Sequence, residues 1–286
     1  MAYGKSIELF LVNGTADSLI TAELSNWNGK AIKIPRIEVA SCTRDDISQA
    51  GVYFLFSKED DGSDSVYIGE AENVKERLVQ HLRDYQSEKE KYYWSTAVIF
   101  IGRDLNKALI RYLENRFVAI ARDCKRYIVL TKNTYRNTVM KESQIAVMEE
   151  FIDNVKILIN ALGYKVLEPL VQTDSAETQT DDELLYISSG SANASGKVTT
   201  EGFVVFAGAV INQKTSVKSL STGMQKLRQK LIDSEKVQEW VTKEDILFSS
   251  SSAAADFIMG YSVSGPQTWK TKDGRTLKEI ENSEMS

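Results

Sequence analysis

Up to about residue 102 the chain is dominated by short apolar runs closed by turn residues; from 105 to 162 apolar positions recur at helical spacing. This predicts strands first and long helices after them. Runs 7–12 and 19–27 end at Asn13-Gly14 and Asn28-Gly29, dipeptides favoured in hairpin turns, and a third run, 31–34, is broken by Pro35. Residues 36–42 form either one helical turn or a loop. Runs 51–56 and 66–69 flank Asp60, Asp61, Gly62, Ser63 and Asp64, which predicts a hairpin with a long polar loop. A helix follows at once. Glu70 and Glu72 suit its N-terminus, Val74, Leu78, Leu82 and Tyr85 form its apolar stripe, and Arg77 and His81 lie one turn apart beside that stripe. Tyr92, Tyr93, Trp94 and 96–101 predict a third strand, ended by Gly102. Asp104 is placed to cap a helix over 105–124 with the stripe Leu109, Leu113, Phe117 and Ile120; Glu114 sits beside it, one turn from Ile110 and Val118. A further helix covers 142–162, with Ile145, Met148, Ile152, Val155 and Ile159 on one side and Gly163 at its end.

Residues 172–200 lose aromatic and aliphatic content and gain Ser, Thr, Asp, Glu, Gly and Asn, a linker composition interrupted by Leu184-Leu185-Tyr186-Ile187, where a short strand can dock. Beyond it, 202–212 predicts one or two strands, 216–240 a helix, 250–259 a second helix closed by Gly260, and Trp269 to Asp273-Gly274 a final hairpin. Trp240 and Trp269 read as core residues. The division expected is a β-rich segment 1–48, a domain 49–170, a linker 171–200 and an accessory domain 201–286.

Charge changes this picture more than composition does. The 286 residues carry a net charge of -5, yet 66–137 holds fourteen Lys/Arg against nine Asp/Glu, so that segment carries +5 and the remainder -10. A locally basic stretch on an acidic body fits a patch facing phosphates, although such a stretch is more often a solvated surface. Cys42 and Cys124 lie far apart without metal-ligand spacing, which argues against a zinc site or a disulfide framework. No apolar run reaches membrane-spanning length and the polar start lacks a signal-peptide pattern, so a cytoplasmic protein with no membrane partner is expected.

Gly51-Val52-Tyr53, Tyr67-Ile68-Gly69 and Arg77, eight residues after Gly69, resemble the two tripeptides and the helical arginine of the GIY-YIG nuclease family. The stretch from Ala108 to Glu114 resembles the helix that delivers the family's metal-binding Glu. Asn133 lies where the family supplies an Asn, and His81 where it carries His or Tyr. The resemblance implies an α+β fold: a small antiparallel three-stranded sheet flanked by helices, with a β-rich lead-in and a small α+β C-terminal domain. That last segment resembles a domain of unknown function that follows GIY-YIG domains, and the likeness names no chemistry for it. The activity implied is divalent-metal-dependent hydrolysis of DNA phosphodiester bonds, with Mg2+ or Mn2+ as cofactor.

Such a reaction needs an activated water, a cation at the developing charge and donors on the phosphate. By the resemblance, Glu114 would hold the metal, Arg77 the scissile phosphate, and Tyr53 or Tyr67 would orient the water and take its proton. His81, the single histidine, reads as a second phosphate donor or proton carrier, or as a helix-surface residue. For both tyrosines the alternative is core packing, and for Glu114 a salt bridge to Arg111 or Arg116. Glu70 departs from the family, which often places a Lys there, and would weaken phosphate binding unless it points away. A nucleic-acid-binding module that keeps the fold without catalysis is the reading from another class. RNA stays open beside DNA, and a homodimer as an assembly.

Overall fold

Strand alternation sorts the apolar residues of the first half onto two faces of one sheet. The computed structural model describes residues 3–132, 134, 139–171 and 184–284, and the chain divides into two units, Met1–Pro169 and Leu170–Ser286. The first unit contains β1 (Ile7–Leu11), β2 (Ile20–Leu24), β3 (Gly29–Pro35), α1 (Arg36–Val39), a single 3-10 turn at Asp45–Ile47, β4 (Gly51–Lys58) and β5 (Asp64–Ala71). It continues with α2 (Val74–Gln86), β6 (Trp94–Gly102), α3 (Lys107–Cys124), β7 (Ile128–Val129) and α4 (Glu142–Ala161).

In place of the small three-stranded sheet expected, the unit forms one larger sheet. Seven strands run in the order β1-β2-β3-β6-β4-β5-β7, all antiparallel except β5 with β7. The lead-in is therefore continuous with the sheet, hydrogen-bonded through β3 to β6 from Gly29↔Gly102 to Pro35↔Thr96. The reason is burial. Ala31, Ile32 and Ile34 have no exposed surface and extend both cores past β6, so leaving that edge unpaired would strand apolar side chains and backbone donors alike.

On one face Val52, Phe54, Phe56, Val66, Ile68, Val98 and Phe100 pack beneath α3 and α4. On the other, Tyr53, Leu55, Ile99 and Ile101 meet Val74 and Leu78 of α2. Gly51 is required where β4 passes β6: a Cβ there would stand 2.6 Å from the Phe100 carbonyl oxygen. Since that neighbour is backbone, Gly51→Ala is expected to cost about 1–3 kcal/mol. Chemical denaturation checks this, and a variant as stable as the parent would contradict it.

The second unit has β8 (Leu185–Ser189), β9 (Ala192–Thr199), β10 (Gly202–Val205), α5 (Thr222–Asp233), β11 (Val237–Gln238), β12 (Val241–Thr242), β13 (Ile246–Phe248), α6 (Ser251–Met259), α7 (Gly265–Thr268) and α8 (Leu277–Glu284). A four-stranded sheet, β13-β10-β9-β8, packs Phe203 and Phe248 against Phe257 and the fully buried Trp269, whose indole N–H donates to the Ser251 carbonyl. Three expectations are corrected. The stretch read as linker, 171–200, contains β8, at the short strand its apolar interruption suggests, and also β9, because Leu185, Ile187, Ala192 and Ala194 alternate inward from polar neighbours. The helix expected over 216–240 spans only Thr222–Asp233; Ser221 caps it and Glu235 turns left-handed just past its end. The final hairpin is one turn with a single bridge, Lys270↔Thr276, followed by α8. Among the described residues no helix is long and apolar enough to cross a membrane, and both cysteines are free.

Candidate active site

Residues two apart on a strand, or directly opposite on its neighbour, point the same way. Tyr53 of β4 lies opposite Gly69, and Tyr67 of β5 opposite Leu55, so both phenol rings project toward α2 and stack 6.3 Å apart. Gly69 makes room for this: a Cβ there would come within 2.5 Å of the Tyr53 hydroxyl. α2 starts at Asn73, whose side chain accepts the Glu76 N–H, rather than at Glu70, which remains in β5.

From α2, Arg77 Nε donates to the Tyr53 hydroxyl at 3.4 Å, and His81 Nε2 lies 2.9 Å from the same oxygen. His81 is not a surface residue. It has no exposed surface and packs its ring edge against both Tyr53 and Tyr67. Burial, with the charges of Arg77 and Arg36, holds its pKa below the usual histidine range, so the imidazole is neutral. Burial also pushes the Tyr53 hydroxyl well above the ordinary phenol value, with Tyr67 adding to this and Arg77 opposing it. Tyr67 is likewise raised by burial against the pull of Arg77.

α3 is capped by Asn106, not Asp104; its side chain accepts from the Ala108 and Leu109 N–H groups. Glu114 falls within the helix's buried stripe, 5 % exposed, and its Oε2 has no hydrogen-bond partner. Burial and, next, the Glu70 charge push its carboxyl up to about 7, against Lys107, Arg111 and Arg77. The expected alternative partner Arg116 is instead paired with Glu149, at 2.7 Å.

Tyr53, Tyr67, Arg77 and Glu114 line one cleft of about 690 Å³, and His81 stands directly behind Tyr53. Glu70, which the sequence places near the phosphate, lines it too, with Glu72, Glu76 and Lys107, which are not expected from sequence. Glu70 does not point away. Its parity on β5 turns it toward α3, where Lys107 Nζ lies 2.9 Å from it and Arg111 Nε 3.8 Å. Its charge is thus matched within the cleft. The described lining residues include four carboxylates and two cations, and among the described residues no group of three or more His, Cys, Asp or Glu side chains is placed to hold a metal ion. Asn133 lies outside the described residues. Two residues past β7, Thr131 continues to satisfy the edge of β5: its Oγ1 accepts the Ile68 N–H and donates to the Ile68 carbonyl.

Compared with known proteins, residues 185–281 match the family model described as "Domain of unknown function (DUF4357)". That match lies wholly within the second unit and reaches none of the cleft residues. No curated protein and no solved structure matches the chain.

Proposed function

We propose that the chain is a divalent-metal-dependent endonuclease of the GIY-YIG kind, hydrolysing DNA phosphodiester bonds in the cleft formed by β4, β5, α2 and α3. The observation that carries this reading is the convergence of Tyr53, Tyr67, Arg77 and Glu114, drawn from four elements, on one cleft, with His81 hydrogen-bonded to Tyr53 behind it.

Glu114 fits a Mg2+ or Mn2+ site: an orphaned carboxylate oxygen, buried at the cleft wall, suits a hard cation that takes one or two carboxylates and fills its shell with water and substrate oxygens. When bound, such a cation supplies positive charge at the phosphate oxygens where negative charge develops.

The chain's own residues do the rest. Arg77 binds the scissile phosphate as a fixed cation, its orientation set by the Tyr53 hydroxyl. A buried phenol with a raised pKa is not a ready phenolate, so Tyr53 acts with a second acceptor. As its oxygen takes a proton from the attacking water, its own hydroxyl proton passes to His81 Nε2. The new hydroxide bonds to phosphorus, the bond to the leaving sugar oxygen breaks, solvent protonates that oxygen, and His81 returns its proton through the Tyr53 hydroxyl to solvent. Tyr67, on the cleft wall, orients the water.

The reading is tested by incubating the protein with plasmid, single-stranded and branched DNA, and with RNA, in Mg2+, in Mn2+ and in EDTA. Cleavage of DNA that stops in EDTA is the expected result. Salt-dependent binding without cleavage in either metal would instead select the non-catalytic binding module. Within the same reading, Gly69→Ala is expected to push the Tyr53 hydroxyl aside and lower cleavage by roughly 10²-fold, the cost of an ångström-scale misplacement. Cleavage rates of the folded variant check this, and parent-like rates would contradict it.

A further inference from the structure

Beyond the cleft residues, one carboxylate touches the site from behind. Glu90, in the connection between α2 and β6, places Oε1 2.5 Å from His81 Nδ1, and its side chain is 16 % exposed. The connection is fastened at both ends. Its Lys89 and Glu90 N–H groups donate to the Asp84 carbonyl, at 2.8 and 3.2 Å. The Arg36 guanidinium, from α1, lies 4.7–4.8 Å from the ring centres of Tyr85, Tyr93 and Trp94, gripping the end of α2 and the start of β6 together. Glu90 is thereby held against the imidazole before any substrate arrives.

Burial pushes the Glu90 carboxyl up while Arg77 and Arg36 pull it down; as a carboxylate it only accepts hydrogen bonds, so the nitrogen facing it carries the ring proton. A neutral imidazole has one such proton, which leaves Nε2 as an acceptor aimed at the Tyr53 hydroxyl. We propose that Glu90 is the positioning residue of the site: it fixes His81 as the Nδ1–H tautomer, so that Nε2 takes the Tyr53 proton, and it balances the imidazolium that results. The use of this relay rests on the nuclease reading above; its geometry does not. The groups facing His81 explain why a carboxylate is needed. Arg77 from α2 and Arg36 from α1 both oppose a positive imidazole, while Tyr53, Tyr67 and Tyr92 are neutral phenols, so Glu90 is the compensating charge.

His81 is the chain's single histidine, so [15N]histidine labelling of the whole protein reads its two ring nitrogens without ambiguity. At neutral pH the parent is expected to show a protonated Nδ1 and an unprotonated Nε2. In Glu90→Gln the amide donates to Nδ1, and the proton is expected to move to Nε2. Cleavage should then fall roughly 10²-fold in kcat with KM unchanged. A parent with the proton on Nε2 overturns the proposal even if the variant fails to fold. An unchanged tautomer in Glu90→Gln, or a changed tautomer with undiminished cleavage, overturns it as well. A parent that cuts no DNA overturns the nuclease reading, a separate result, because the ring nitrogens are read without substrate.

Discussion

Glu114→Gln is expected to cut cleavage steeply and at the same time to stabilise the protein. The carboxyl rises from 4.5 to about 7 in the folded chain, chiefly through burial and then through Glu70. Between those values the folded state holds a proton that the unfolded state has released, so stability falls as pH rises from about 4.5 to about 7 and stays low above it. A shift of that size in a residue 5 % exposed corresponds to an upper figure of ~3 kcal/mol. Glutamine keeps the shape and removes the charge. In EDTA at pH 8 the variant should therefore resist denaturant better by about 1–3 kcal/mol, with the difference closing near pH 4. Cleavage should drop by about 10²–10³-fold or more, since the group that meets the cation is gone. Denaturation at the two pH values, beside a cleavage assay, checks both halves. A Gln variant that is less stable at pH 8, or that cuts at the parent's rate, would contradict them.

Tyr53→Phe separates the hydroxyl from the ring. The ring fills the core and stacks on Tyr67, and Phe preserves both, whereas the hydroxyl joins His81 Nε2 to Arg77 Nε. Without it, proton transfer from water has no entry to His81, and cleavage is expected to fall by about 10²–10⁴-fold. His81 Nε2 is also left buried without its partner, at a cost of about 1–3 kcal/mol. Tyr67→Phe leaves the Tyr53–His81 bond in place and should cost cleavage less. Comparing the rates of the two variants decides the assignment. Equal losses, or a Tyr53→Phe protein that cuts like the parent, would place the proton's route elsewhere.

The elements that carry the site follow from local pattern. Strands at 51–58 and 64–71 and the helices α2, α3 and α4 repeat their apolar residues at strand or helix period, and the two motif glycines sit where a Cβ would strike a neighbour. What local pattern did not carry is pairing at a distance. Joining β3 to β6 depends on a register between residues far apart in the chain, which no dipeptide encodes. Glu70's direction follows from its parity on β5, but the cations that match it come from α3. His81 looks like a surface residue beside an apolar stripe until Tyr53, 28 positions earlier, and Glu90, on a connection, close over it. One miss was readable: Thr276-Leu277-Lys278-Glu279 is a capping box, with the Glu279 N–H donating to Thr276 Oγ1 and the Thr276 N–H to Glu279 Oε2, and it announces α8.

Supercoiled plasmid incubated with the parent and with Glu114→Gln protein, each in Mg2+ and in EDTA, tests the assignment of this cleft to phosphodiester hydrolysis most directly. Nicked or linear product from the parent in Mg2+ alone is the predicted result. Equal cutting by both proteins, or DNA bound by the parent and left intact in Mg2+ and in Mn2+, would contradict it.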